Sequence, residues 1–154
     1  MSVNRVLIAY YSLSGNTKVV ANKICEFIND QVQECDVLVL GKNSIYEEIN
    51  IEKYDLVFIG SPTYGKGNTP EHVLEFLRYI LKHNNFNLPP FAVFGTGDTQ
   101  WANYTRAIDE VKYHLEKKTN VVGILRIEQR PVSNHQISKI KDFVSNVVGR
   151  IKDC

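Results

Sequence analysis

The chain has 154 residues, of which 44% are hydrophobic and 23% charged, with a formal net charge of +1. That is the make-up of one ordinary globular domain, residues 1–154, around a single core. It removes the electrostatic case for a nucleic-acid or anionic-membrane partner, and no apolar run approaches the roughly 20 residues that span a bilayer.

Residues 5–11 form a continuous apolar run, the mark of a strand buried on both faces. No signal-peptide pattern precedes it, so a cytoplasmic location is expected. Residues 12–17 read Ser-Leu-Ser-Gly-Asn-Thr. A helix over 15–30 follows, with Val20, Ile24, Phe27 and Ile28 at helical spacing. Residues 35–40 read as a second strand ended by Gly41, and 42–54 as a loop with one helical turn. Residues 55–61 are a third apolar, β-branched strand. Two prolines and two glycines within 61–70 forbid regular structure there. Thr69 is placed to N-cap the next helix, with Pro70 at its first position and Glu71 in its first turn. That helix carries Val73, Leu77 and Leu81 on one face. After a turn at 84–89, residues 91–95 make a fourth strand. A second glycine-rich loop, 95–101, leads into a helix striped by Tyr104, Ile108, Val111 and Leu115. Residues 121–127 are a fifth strand. Pro131 breaks the chain, and Ser133 or Asn134 caps a last helix striped by Ile137, Ile140, Val144, Val147 and Ile151.

The order β-α-β-β-α-β-α-β-α implies an α/β fold, a parallel sheet with helices on both faces. Ligands of such sheets bind beyond the carboxyl ends of the strands. Three polar, glycine-containing loops follow the first, third and fourth strands, so they share one rim. In the first, the free N–H groups of a helix start, the dipole's positive end and the hydroxyls of Ser12, Ser14 and Thr17 make a phosphate site. Asn16 adds an amide, and Gly15 permits close backbone approach. There is no G-x-G-x-x-G and no G-K-[ST], so neither the dinucleotide fingerprint nor the triphosphate loop is present. Tyr64 and Trp101 in the other loops offer flat rings to a planar heterocycle. Cys25, Cys35 and Cys154 are odd in number and lack C-x-x-C, as expected of reduced thiols. The four histidines show no metal-ligand spacing, so no metal is expected.

These motifs resemble those of the flavodoxins. Residues 12–17 resemble the family's phosphate loop, [ST]-x-[ST]-G-N-T. Residues 63–70, T-Y-G-K-G-N-T-P, resemble T-W-G-D-G-[DE]-L-P, and residues 95–101, G-T-G-D-T-Q-W, resemble G-x-G-D-x-x-Y. The resemblance runs the whole chain in order. It implies a three-layer sandwich with strand order 2-1-3-4-5, of the short-chain class. It also implies non-covalent FMN, cycling through semiquinone and hydroquinone as an electron carrier. Ser12, Leu13, Ser14, Gly15, Asn16 and Thr17 would hold the phosphate. Tyr64 and Trp101 would sandwich the ring, and the Gly65–Lys66 peptide would face flavin N5. Gly95, Thr96, Gly97 and Asp98 would meet the pyrimidine end, and Pro62, Thr63 and Gly67 complete the set. The cofactor carries the chemistry, so no general acid or nucleophile is required. The implied partners are a flavodoxin reductase and a protein acceptor, and a monomer is expected.

Two departures stand out. The family is usually strongly acidic, and Lys66 and Asn68 stand where it usually has carboxylates. Removing negative charge near the flavin eases formation of the anionic hydroquinone. At about 10 Å and a dielectric of about 20 to 80, one charge is worth roughly 0.4 to 1.7 kcal/mol, and about 1.4 kcal/mol is about 60 mV for one electron. The chain also resembles the flavodoxin-like activator of class Ib ribonucleotide reductase. That activator lacks the acidic skirt and carries G-N-x-x-W, which residues 97–101 resemble. Its partner would be the reductase small subunit, and its reduced FMN would react with oxygen for dimanganese cofactor assembly. A receiver domain needs an acidic cluster where Ser12, Ser14 and Ser61 stand, and a two-electron quinone reductase uses a longer chain.

Overall fold

The computed structural model describes residues 3–41, 49–63, 68–83, 88–97, 105–128 and 133–152. The strands are β1 (Arg5–Tyr10), β2 (Glu34–Val39), β3 (Leu56–Pro62), β4 (Phe91–Gly97) and β5 (Val121–Glu128). The helices are α1 (Asn16–Asn29), α2 (Glu71–His83), α3 (Arg106–Leu115) and α4 (Asn134–Lys152). All strand pairs are parallel, in the order β2-β1-β3-β4-β5. The expected class and strand order therefore hold.

The apolar run of β1 is continuous because its two faces feed two cores. Val6, Ile8 and Tyr10 pack with α1 and α4 through Val20, Ile24, Ile140, Val144 and Val147. Leu7 and Ala9 pack with α2 and α3 through Val73, Phe76, Ile108 and Val111. Period-2 alternation along a strand thus becomes a three-layer sandwich. Each fully buried large side chain contributes about 1.5–3 kcal/mol.

The local signals resolve unevenly. The helical turn expected within 42–54 is a 3-10 turn, Ile51–Lys53, and Asn50 caps it by accepting from Glu52 N. Ser133 caps α4: its Oγ accepts from Gln136 N at 3.2 Å, and Gln136 Oε1 accepts from Ser133 N at 3.5 Å, a capping box. Thr69 behaves differently from its expected role. Its hydroxyl is buried and has no hydrogen-bond partner among the described residues, and Pro70 O accepts from Val73 N and Leu74 N at the start of α2 instead. An unpartnered buried hydroxyl is a net cost. Thr69→Val, which keeps the shape, is expected to raise stability by about 1 kcal/mol. Urea denaturation checks this, and a lower midpoint would refute it.

β5 is an edge strand, and two cations from α4 reach across to its backbone. Lys139 Nζ donates to Arg126 O at 2.8 Å, and an Arg150 guanidinium nitrogen donates to Val122 O at 3.0 Å.

Candidate functional site

The site begins where β1 ends. Tyr11 N donates to Gly60 O at 3.1 Å, carrying the chain one residue past the strand beside β3. The Tyr11 ring packs on His72 of α2, with centroids 5.0 Å apart. The chain then turns through 12–15 into α1. Gly15 is the N-cap residue, with φ +94° and ψ −11°. This is the left-handed region, where a Cβ costs about 1–2 kcal/mol, although a side chain there would meet no neighbour. Glycine is therefore required by the backbone turn and not by space.

The Ser12 hydroxyl organises the turn. Its Oγ accepts from Gly15 N at 3.1 Å and Lys18 N at 3.2 Å. The first helical bond runs from Val19 N to Gly15 O. The N–H groups of Asn16 and Thr17 find no acceptor among the described residues, as a helix start dictates. Ser14 is exposed, and Asn16 Nδ2 donates to its Oγ at 3.3 Å. No acidic residue occupies the first turn. Lys18, exposed and absent from the residues expected here, adds a positive charge where the helix dipole disfavours one. Open N–H groups, hydroxyls and a nearby lysine are the donor set of an anion site. Leu13 stands 69% exposed beside it.

Three threonines join this turn to the ends of β3 and β4. Thr17 Oγ1 lies 2.9 Å from Thr96 Oγ1, and both residues are buried. Thr63 N donates to Thr96 O at 3.1 Å, and Thr63 Oγ1 accepts from Ala107 N of α3 at 3.2 Å. The register sets Ser61 against Gly95 and Pro62 against Thr96, and Gly97 against Glu128. Buried Ser61 donates its hydroxyl to Pro62 O at 2.7 Å. Thus Ser12, Leu13, Ser14, Gly15, Asn16, Thr17, Pro62, Thr63, Gly95, Thr96 and Gly97 lie on one rim. Thr17's hydroxyl is engaged by Thr96, so what Thr17 offers an anion is its N–H. Tyr64, Gly65, Lys66, Gly67, Asp98 and Trp101 lie outside the described residues, as do all of 97–101 except Gly97.

The end of α3 nearest this rim is also tied down. Thr105, its N-cap residue, is buried and left-handed at φ 54°. Arg126 of β5 donates to Thr105 Oγ1 at 3.1 Å and Thr105 O at 3.3 Å, and pairs with Asp109 at 2.6 Å. No cluster that could hold a metal ion occurs among the described residues. None of the described helices is long and apolar enough to cross a membrane.

A parallel sheet in this order, with an anion-ready turn where β1 and β3 send their connections to opposite faces, defines the flavodoxin-like class of α/β proteins. The flavodoxin family model matches residues 8–142. The probable flavodoxin 2 of Bacillus subtilis (strain 168) is 26% identical over 135 residues, spanning 82% of this chain and 83% of that one. Oxidised flavodoxin 1 from Bacillus cereus superposes with a TM-score of 0.80 at 25% identity, covering 95% of this chain and 98% of that one. A Fusobacterium nucleatum flavodoxin, solved bound to flavin mononucleotide, shares the fold with a TM-score of 0.76 at 14% identity, covering 95% of this chain and 98% of that one. The chain belongs to the flavodoxin family.

Proposed function

We propose that this protein is a flavodoxin-type electron carrier that binds FMN non-covalently on the rim and passes electrons between a protein reductase and a protein acceptor as a monomer. The observation that carries the reading is the turn 12–18. It offers an anion two N–H groups, a hydroxyl and a lysine at a helix start, and family membership makes the anion a flavin phosphate. When bound, FMN supplies one-electron transfer. The chain's own residues bind and orient it. Ser12 fixes the turn, Gly15 gives the turn its backbone conformation, and Asn16, Thr17 and Ser14 direct donors to the phosphate. The Thr17–Thr96 and Thr63–Thr96 bonds hold the loops after β1, β3 and β4 at fixed separation, and a planar ring needs that spacing. Tyr64 and Trp101 would face the ring, and the Gly65–Lys66 peptide its N5 edge.

Titration of the apoprotein with FMN and with riboflavin, followed by flavin fluorescence, tests the assignment. One equivalent of FMN is expected to bind far more tightly than riboflavin, which has no phosphate. Ser14→Ala removes one donor to a charged group, worth about 1.5–3 kcal/mol, so FMN affinity should fall tenfold or more while riboflavin affinity holds. An unchanged preference for FMN in that variant would place the phosphate elsewhere.

A further inference from the structure

Cys25 lies in the middle of α1, and Cys35 is the second residue of β2, paired with Val6 of β1. Both are free thiols, partly buried against the core beneath α1 and α4. Their sulfurs are 3.7 Å apart, in contact, with Asn29 Nδ2 donating to Cys25 Sγ at 3.6 Å. Partial exposure leaves them open to a small oxidant. A disulfide needs the sulfurs at about 2.0 Å, a movement that two side chains at one helix–strand contact can share.

We propose that Cys25 and Cys35 are a thiol modification site that closes to an intramolecular disulfide on reaction with a hydroperoxide. The sulfur that carries an amide donor, Cys25, is the attacking one, and Cys35, whose thiol is pushed up to about 12 by burial, the neighbouring Cys25 and Asp36, resolves. The Cys25 thiolate attacks the peroxide's distal oxygen, the O–O bond breaks, and the alkoxide or hydroxide leaves and takes up a proton. Cys25 is now a sulfenic acid. Cys35 sulfur then attacks Cys25 sulfur, the S–O bond breaks, and the Cys35 proton leaves with the hydroxyl as water. The pair is oxidised by two electrons and the peroxide is reduced by two. The bond ties α1, the helix that starts at the phosphate turn, to the edge strand β2. A dithiol reverses it by exchange.

The test treats the FMN-loaded, oxidised-flavin protein with hydrogen peroxide. Intact mass should fall by about 2 Da, and thiols titrated after unfolding should drop from three to one. The Cys154→Ser variant should lose both of its remaining thiols, and Cys25→Ser should show no mass loss. Dithiothreitol should restore the starting mass. The oxidised protein should melt higher by roughly 5 °C, because a native-compatible cross-link restricts the unfolded chain. Oxygen addition without the mass loss, or a bond made to Cys154, would overturn the proposal. So would a disulfide that appears only when the protein is unfolded before the peroxide is added.

Discussion

Gly60→Val is expected to cost about 3–5 kcal/mol, lowering the unfolding midpoint by roughly 10 °C or more. Gly60 sits in the middle of the sheet, paired with Tyr10 on β1 and Phe94 on β4. A Cβ built on it would fall inside the Phe94 ring. Phe94 is fully buried and belongs to the core beneath α1 and α4. A ring cannot bend away as a lysine can, and a close-packed interior gives it nowhere to go. Either β3 and β4 separate, with loss of ladder hydrogen bonds, or Phe94 leaves its rotamer. Gly60→Ala should show a smaller loss of the same origin. Phe94→Leu in the Gly60→Ala background should recover part of it, a coupling that independent sites would not show. Denaturant titrations of the four proteins measure this. A Gly60→Ala midpoint within error of the parent would mean that the ring yields freely.

The second large effect concerns the Thr17–Thr96 pair. Thr17→Val and Thr96→Val each keep the side-chain shape but leave the other hydroxyl buried without a partner, at about 1–3 kcal/mol. The double variant removes both hydroxyls from an otherwise packed contact and should lie within about 1 kcal/mol of the parent. Strong non-additivity in the cycle is therefore expected. Simple additivity would show that the two hydroxyls do not depend on each other. The single variants should also weaken FMN more than the double variant does, since they strain the joint between the phosphate turn and the end of β4.

The architecture was legible in the sequence because its signals are local. A short, largely apolar run bounded by turn residues reads as a strand covered on both sides, and β1, β3 and β4 all have that form. The Ser133 capping box lies within four residues, and Gly15 stands where the turn needs a left-handed residue. The strand order came from the flavodoxin resemblance, since alternation of strands and helices alone leaves the order open. What the sequence hid is long-range. Thr17 and Thr96 are 79 residues apart, so nothing near Thr17 says that its hydroxyl turns inward. Thr69 has the residue type of a cap and the neighbours of one, yet its buried hydroxyl meets no acceptor among the described residues. Arg126 reads as a charge interrupting an apolar strand until Thr105 and Asp109 are seen beside it. Phe76 and Ile80, fully packed on α2, carry more of that helix's burial than Leu81, which is only partly covered.

The two α4 cations on β5 bear on how these molecules behave when crowded. A sheet edge presents unmatched acceptors to any passing strand, and this is how ordered aggregates begin. Lys139 and Arg150 already occupy the Arg126 and Val122 carbonyls. An incoming chain would have to displace both and bring its own backbone alongside two positive charges. Helix α4 thus covers the core beneath it and also shields the edge strand against fibre-like growth.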